Sequence, residues 1–207
     1  MSLYREQVVP RLVDLACGLA GFNSWRTQAT DGLAGRVVEI GFGSGLNVPH
    51  YPSEVDVVLA VEPAMVARRM AEPRIVASPV PVEYVGLDGQ QIPLQDASCD
   101  AALFTFTLCT VPEPEVALSE LRRVVRPGGT VHFLEHGLSP DADVVVWQRR
   151  IEPLHRRLAG GCHLTRDPTA LLGEAGFVME RNEQRYARGF KYSSWLTVGV
   201  AINPAEA

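Results

Sequence analysis

The sequence predicts an α/β fold, a mostly parallel sheet of seven strands with helices on both faces, closed by a C-terminal antiparallel hairpin. Short apolar runs rich in β-branched residues alternate with longer stretches of helical periodicity, the order expected of parallel strands joined by helices. No helix separates the last two strands, so we expect these to form the hairpin. The 207 residues, 46% of them hydrophobic, are enough for one well-buried core. We therefore expect a single domain.

Each predicted element follows from its own pattern. Apolar runs bounded by turn residues predict strands over 36–40, 57–61, 82–87, 100–106, 130–135, 177–183 and 194–201. Spacings of three and four residues between apolar positions predict helices over 7–20, 64–70, 113–126, 143–159 and 168–175. In the helix over 113–126, Leu118, Leu121 and Val125 share one face, and Pro127 and Gly128 mark its end.

Composition narrows the class of function. The formal charge of −5 disfavours a general nucleic-acid binder, which needs a strongly basic surface. The four cysteines, Cys17, Cys99, Cys109 and Cys162, form no C-x-x-C pair, so neither a disulfide framework nor a metal site is predicted. We expect reduced thiols and a cytoplasmic protein, because no signal peptide or membrane-spanning stretch is apparent.

A glycine-rich turn carries the strongest functional signal. The buried run Val37–Ile40 leads directly into Gly41-Phe42-Gly43-Ser44-Gly45. Glycines at the end of a strand let the backbone approach a ligand without interference from a Cβ. Alone, this motif is weak evidence, since many turns between a strand and a helix contain glycine.

Three further features specify the ligand. Glu39 places a carboxylate near the strand end, where it would repel a dinucleotide pyrophosphate. The spacing is G-x-G-x-G rather than G-x-G-x-x-G, and Pro49 and Pro52 leave little room for a long phosphate-binding helix. Glu62 ends the second strand, where a carboxylate can accept hydrogen bonds from both ribose hydroxyls. The ligand is therefore expected to be a nucleoside without phosphates.

Together these residues resemble the class I S-adenosylmethionine (AdoMet)-dependent methyltransferases, whose fold is Rossmann-like, over about residues 36–201. The resemblance implies AdoMet as cofactor and S-adenosylhomocysteine as product. It also implies that glycines and Glu39 surround the methionine moiety, that Glu62 holds the ribose, and that later strand ends border the adenine and the sulfonium. The implied cofactor-binding residues are Glu39, Gly41, Phe42, Gly43, Gly45, Glu62, Pro63, Met65, Leu87, Asp88, Gly89, Thr105 and Phe106.

Motifs in the second half resemble the methyltransferase-like thiol S-methyltransferase family. These are Thr107-Leu108-Cys109-Thr110-Val111, Phe133-Leu134-Glu135-His136 and Gly161-Cys162-His163-Leu164-Thr165-Arg166, together with Tyr51-Pro52. Bacterial phospholipid N-methyltransferases share part of the pattern. Phe42 replaces the more usual Cys of the loop, and we expect no hydrophobic membrane anchor like that of the animal thiol enzymes. The implied acceptor is a small apolar thiol, with a phospholipid amine as the alternative.

Candidate acceptor-site residues follow the fifth predicted strand. His136 is the best candidate for a group that deprotonates or stabilises the acceptor, and Glu135 beside it is a second. Trp147, His163 and Arg166 are candidates for acceptor binding. Each has a simpler interpretation: the histidines could be hydrogen-bonded to backbone at loop entrances, and the others could belong to a loop and a helix that pack on the sheet.

The expected organisation is an N-terminal helical lid over 1–35, an AdoMet-binding half over 36–135 and an acceptor-shaping half over 136–207. An arginine-rich helix over 147–158 could be a solvated face or could touch an anionic membrane surface. We expect a monomer or weak homodimer acting on a small molecule, without nucleic acid. Two other classes remain open, an NAD(P) oxidoreductase and a non-catalytic AdoMet-binding protein.

Overall fold

The computed structural model describes residues 7–205. In that range the chain forms six α-helices: α1 (Val9–Cys17), α2 (Asn23–Thr30), α3 (Met65–Val76), α4 (Pro114–Val124), α5 (Ala142–Leu158) and α6 (Pro168–Glu174). The same range holds seven strands: β1 (Gly35–Ile40), β2 (Val55–Val61), β3 (Val82–Gly86), β4 (Cys99–Thr105), β5 (Val125–His136), β6 (Val178–Tyr186) and β7 (Trp195–Ile202).

All seven strands belong to one sheet with the order β3-β2-β1-β4-β5-β7-β6. Each neighbouring pair among β1 to β5 is parallel, whereas β7 runs antiparallel to both β5 and β6. The predicted fold class is confirmed, including the hairpin, whose second strand inserts between β5 and β6. Because the order reverses between β1 and β4, the loops that follow these strands diverge and leave a crevice.

Core residues lie on both faces of the sheet, as the continuous apolar strands require. Val38 packs with Leu118 of α4 and Leu172 of α6 on one face. Its neighbour Val37 points to the other face and packs with Ala71 of α3. Because successive side chains of a strand point to opposite faces, the helices pack in two layers, one on each face of the sheet.

The end of α4 differs from the prediction. A helix over 113–126 was expected, but α4 ends at Val124 and β5 begins at Val125, which pairs with Cys99. The Asn203 side-chain amide donates to the Val125 carbonyl at 2.8 Å, and Gly128 turns with a φ of +75°. Pairing with β4 and this hydrogen bond override the helical periodicity of the sequence.

The N-terminal segment holds two helices where one was expected over 7–20. α1 ends at Cys17, and α2 follows after a short 3-10 turn. Helix α2 was not predicted because two of its buried positions are the polar residues Arg26 and Thr30, so its buried face does not appear in the sequence as an apolar stripe. The Thr30 hydroxyl donates to the His50 carbonyl at 2.8 Å, so a tertiary contact compensates for its burial. Of the expected lid over 1–35, residues 1–6 lie outside the described part of the chain.

Helix α3 is longer than the predicted 64–70 and continues through Pro73 to Val76. Proline cannot donate the helical hydrogen bond, which is why the sequence predicts an earlier end. Arg74 stabilises the last turn, since its guanidinium donates to the Ser44 carbonyl at 2.7 Å and forms an ion pair with Asp14 at 3.2 Å. Contacts with the glycine loop and α1 thus extend this helix.

Helix α5 confirms the prediction over 143–159 within one residue. Its one buried side chain, Gln148, donates its amide to the carbonyls of Gly137 and Leu164. Trp147 and Leu154 are more than half exposed on the same helix. Within residues 7–205, no helix is both long and apolar enough to cross a membrane.

We predict that His132 makes the fold sensitive to acid. Its ring is buried between the Ala29 carbonyl, 2.9 Å from Nδ1, and the Thr130 hydroxyl, 3.2 Å from Nε2. Burial lowers the pKa of His132 to about 4. Between pH 6.5 and 4 the unfolded chain therefore binds a proton that the folded chain excludes. As the pH is lowered through this range, the free energy of unfolding decreases by up to about 3 kcal/mol.

The measurement is thermal unfolding of the wild type and His132→Gln across that pH range. Glutamine can keep a hydrogen bond to Ala29 but does not titrate. The melting temperature of the variant should rise relative to the wild type as pH falls from 6.5 to 4. A difference that stays constant with pH would contradict this role for His132.

Candidate functional site

A cavity of about 290 Å³ opens at the carboxyl ends of β1, β2 and β4. Its floor is the glycine turn after β1, and its sides are Glu62 after β2 and the segment after β4. Seven of the predicted cofactor residues line it: Gly41, Phe42, Gly43, Glu62, Pro63, Thr105 and Phe106. The fold therefore brings together at one crevice residues that are up to 65 positions apart in the sequence.

The three glycines of the turn have left-handed backbones, with φ of +68°, +58° and +74° at Gly41, Gly43 and Gly45. A Cβ at Gly41 would collide with the Thr107 side chain, and a Cβ at Gly45 would stand 3.2 Å from Ala71. Gly43 differs, because the nearest atom to its Cβ position, the Gly41 carbonyl oxygen, is 3.8 Å away. Gly43 thus leaves open space within the cavity, whereas Gly41 and Gly45 permit close packing.

Glu62 is a buried carboxylate at the cavity wall. Its two oxygens accept hydrogen bonds from the backbone N–H groups of Gly43 and Ala64, each at 2.7 Å. Burial raises the pKa of Glu62, and these N–H groups partly oppose the shift. A carboxylate offers about four acceptor positions, so two remain for hydroxyl groups of a ligand.

Glu39 lies beneath the glycine turn and does not line the cavity. It is 1% exposed and accepts hydrogen bonds from the Asn47 amide at 2.8 Å and from the Tyr51 hydroxyl. Burial raises the pKa of Glu39 to about 7, although the bonds from Tyr51 and Asn47 lower it. Its carboxylate holds Asn47, which does line the cavity.

Arg26 of α2 is a site residue that the sequence did not reveal. Its guanidinium is buried at the cavity floor and donates to the Asn47 side chain at 2.6 Å, the Thr105 hydroxyl at 3.1 Å and the Cys17 carbonyl at 3.2 Å. Burial lowers its pKa, and the nearby thiol of Cys17 and carboxylate of Glu39 oppose this. No local pattern marks Arg26, because its partners come from distant segments.

Helix α1 forms the outer wall of the cavity through Val9, Pro10, Val13 and Cys17. Asp14 fixes this wall: its carboxylate accepts from the Ser44 hydroxyl at 2.5 Å and pairs with Arg74. The helix is thereby tied to the glycine turn and to α3. That this helix acts as a lid stays a prediction.

The segment after β4 carries a strained residue. Phe106 has a φ of +53°, which is unfavourable for a side chain of this size, and its ring lines the cavity. The Glu135 carboxylate accepts from the N–H groups of Thr107 and Leu108 at 2.5 and 3.0 Å, and so holds the turn in place. Strain of this kind is typical of functional sites. Glu135 itself is 1% exposed and lies behind the cavity wall.

His136 is also buried and does not line the cavity. Its ring stacks against Phe106 with centroids 6.5 Å apart, and its Nε2 lies 2.8 Å from the Cys162 sulfur. The structure therefore places this candidate one layer behind Phe106, next to two cysteines.

The residues predicted to border the adenine are more dispersed. Pro63 lines the cavity, whereas Met65 and Leu87 are each more than half exposed outside it. The Asp88 carboxylate accepts from the backbone N–H of Gln90 at 2.9 Å, and the Cβ position of Gly89 is 3.4 Å from Ile40. All five residues follow β2 or β3, which are neighbours in the sheet.

The three candidates for acceptor binding do not converge. Trp147 lines a separate depression beside Phe190 and Tyr192. His163 pairs with Glu152 at 3.5 Å. The Arg166 guanidinium donates to the carbonyls of Leu108 and Val111, so it braces the segment after β4.

Comparison with known proteins agrees with this site. A family model described as a methyltransferase domain matches residues 38–133. The thiol S-methyltransferase TMT1B of Rattus norvegicus is 33% identical over 172 residues, covering 80% of this chain and 68% of that protein. This chain belongs to the AdoMet-dependent methyltransferase family. The phosphatidylethanolamine N-methyltransferase of Cereibacter sphaeroides is 33% identical over 103 residues, covering 49% of this methyltransferase and 51% of that protein.

A solved structure shares the fold of this methyltransferase. The S-adenosylmethionine-dependent methyltransferase of Mesorhizobium loti aligns with a TM-score of 0.63 at 17% identity, covering 89% of this chain and 99% of that one. The cofactor of this methyltransferase is AdoMet. The cavity suits it, because Glu62 keeps two acceptor positions for hydroxyls and Gly43 leaves space that a Cβ would fill.

We predict that Glu62→Gln weakens binding of S-adenosylhomocysteine at least about tenfold, since a hydrogen bond to a charged acceptor contributes about 1.5 to 3 kcal/mol. Isothermal titration calorimetry measures the dissociation constant. Glu83→Gln, on the exposed side of β3, is the matched control and should bind normally. An unchanged dissociation constant in folded Glu62→Gln would contradict the assignment.

We predict that Gly43→Ala weakens S-adenosylhomocysteine binding at least about tenfold, because the added methyl occupies ligand space and strains a left-handed turn. Gly128→Ala is the matched control: Gly128 has a φ of +75° and no atom within 4 Å of its Cβ position, far from the cavity. Both variants should lose a similar amount of thermal stability. Equal ligand affinities in the two would show that Gly43 does not contact the ligand.

Proposed function

We propose that this methyltransferase transfers the methyl group of AdoMet to a small apolar thiol. The observation that carries the proposal is an apolar wall of the cavity. This wall comprises Val9, Pro10 and Val13 of α1, the Phe106 ring and the Ala159–Gly160 turn. Among the described lining residues Arg26 is the one cation, and three of its five N–H donors are bonded to Asn47, Thr105 and Cys17.

The similarity to thiol S-methyltransferases supports this acceptor. A thiol has a small, weakly hydrated head and needs no cation or metal to be held in an apolar pocket. A phosphate-bearing acceptor would favour several basic partners inside the cavity, where Arg26 is the one cation among the described lining residues. The apolar wall and the sequence relatives therefore favour the same substrate class.

Residue roles in cofactor binding form part of the proposal. Glu62 would accept from the ribose hydroxyls, while Gly41, Phe42, Gly43 and Gly45, with Glu39 below, would surround the methionine moiety. Pro63, Met65, Leu87, Asp88 and Gly89 would border the adenine. Thr105 and Phe106 would lie near the sulfonium, where the face of the Phe106 ring favours positive charge. Arg26, which the sequence did not reveal, would add a positive field at the floor near the methionine carboxylate.

AdoMet supplies a methyl group bonded to a sulfonium, which is already a good leaving group. The protein therefore has to position the acceptor and exclude water, effects that can account for about 7 to 11 kcal/mol of a barrier. Helix α1, tied down through Asp14, would close the outer side. Phe106, held by its strained turn, would close the inner side. His136 and Glu135 lie behind Phe106 and would influence the acceptor by positioning the turn after β4. Direct contact of either side chain with the acceptor would need the Phe106 ring to move.

A phospholipid amine is the second candidate, favoured by one observation. Arg156 and Arg157 line a depression of about 310 Å³ together with Pro153 and Gly161. Gly161 adjoins Gly160, which lines the main cavity. A lipid phosphate could bind these arginines while its amine reaches toward the cavity. The partial similarity to a phosphatidylethanolamine N-methyltransferase agrees with this alternative.

We predict that labelled methyl transfers from AdoMet to alkyl thiols and not to phosphatidylethanolamine vesicles. Values of kcat/KM should rise by up to about fourfold for each added methylene, since burying one contributes about 0.8 kcal/mol. The rise should stop when the cavity is full. Mass spectrometry of the products identifies the methyl thioether.

Alcohols of the same chain lengths are the matched controls and should stay unmethylated, because a hydroxyl is far less acidic than a thiol. Methylated phosphatidylethanolamine without thioether would favour the second candidate. Binding of S-adenosylhomocysteine without transfer to either acceptor class would contradict both.

A further inference from the structure

Three side chains that are far apart in the sequence meet behind the cavity. The ligand-type atoms of Cys109, His136 and Cys162 all lie within 4.8 Å of one another, and all three residues are buried. The spacing of these residues in the sequence predicted no metal site, because their proximity arises only when β4, β5 and α5 end at the same edge of the molecule.

Neither nitrogen of His136 is bound in the manner of a structural histidine. Nε2 faces the Cys162 sulfur at 2.8 Å, and Nδ1 has no hydrogen-bond partner among the described residues although it is buried. A histidine that only stabilises a loop normally satisfies a buried nitrogen with a carbonyl or carboxylate. Nε2 is therefore the nitrogen placed to share a ligand with the Cys162 sulfur.

The backbone around the cluster is fixed by specific hydrogen bonds. The His163 N–H donates to the Cys109 carbonyl at 2.7 Å, which ties the two cysteine segments together. The Cys162 N–H donates to the Ala159 carbonyl at 3.1 Å. Arg166 holds the carbonyls of Leu108 and Val111 on either side of Cys109. These hydrogen bonds fix the backbone of both cysteine segments, as a preorganised site requires.

We propose that Cys109, His136 and Cys162 form a binding site for Zn²⁺. Two sulfurs and one imidazole are the donor set that Zn²⁺ favours, and no carboxylate, which Mg²⁺ or Ca²⁺ would need, belongs to the cluster. Zn–S and Zn–N bonds of about 2.3 and 2.0 Å place the donor atoms about 3.5 to 3.8 Å apart. Binding therefore needs the His136 and Cys162 side chains to separate by less than about 1 Å from their present distance.

The site would lie directly behind the cavity wall. Thr110, next to Cys109, and Gly160, two residues before Cys162, both line the cavity. Three protein ligands leave one position of a tetrahedral ion open, the arrangement of catalytic rather than purely structural zinc sites. The zinc proposal does not depend on which methyl acceptor the enzyme uses, because the protein's own side chains hold the ion.

The test is metal analysis of the full chain, produced in zinc-supplemented medium and purified without chelator. We expect one equivalent of zinc per chain. Replacing it with Co²⁺ should give the intense thiolate-to-cobalt charge-transfer absorption of a site with two sulfur ligands. Cys109→Ala and Cys162→Ala should each lower Zn²⁺ affinity at least about a hundredfold, since loss of even an outer partner costs tenfold to a hundredfold.

Cys99→Ala is the matched control, because Cys99 is equally buried but lies at the opposite end of β4. It should keep full zinc content and the cobalt spectrum. Thermal shift with S-adenosylhomocysteine reports whether each variant is folded. A folded wild type that binds S-adenosylhomocysteine but neither zinc nor cobalt would overturn the proposal, as would a Cys109–Cys162 disulfide in protein purified under reducing conditions.

Discussion

The close approach of the turns after β1 and β4 is the constraint on which the site depends. Strand order reverses between these two strands, so their loops separate, yet Gly41 and Thr107 remain in contact at the base of the crevice. A side chain at Gly41 would force the turns apart. Because they stay together, the walls that carry Glu62 and Phe106 keep a fixed separation, and the cavity has a defined size.

Three buried charged side chains also determine the structure of the site. Glu39, Glu62 and Arg26 are almost fully buried, and each is compensated by hydrogen bonds from a different segment. The Asn47 amide joins Glu39 to Arg26, so the glycine turn, β1 and α2 share one polar network. Breaking such a network is costly because it leaves a charge without a partner. The N-terminal helices are therefore integral to the cofactor cavity and are not an appendage to the sheet.

The elements that the sequence predicted well are those with strong local signals. All five parallel strands and the closing hairpin were expected, since continuous apolar runs mark buried strands. The glycine turn and Glu62 were also expected in one crevice, because strand ends of a parallel sheet share an edge. Predictions failed where tertiary contacts override local preference: Val125 joins a strand, and α3 continues past Pro73.

By itself, the sequence determined the fold class and the position of the cofactor turn, because hydrophobic periodicity and glycine placement act over a few residues. Only the tertiary structure decided which polar residues are buried and what they meet. Arg26 comes to the cavity floor, Glu39 moves beneath the turn, and His136 lies between Phe106 and two cysteines. Such contacts join residues tens of positions apart, and their partners depend on how the strand ends assemble rather than on any local pattern.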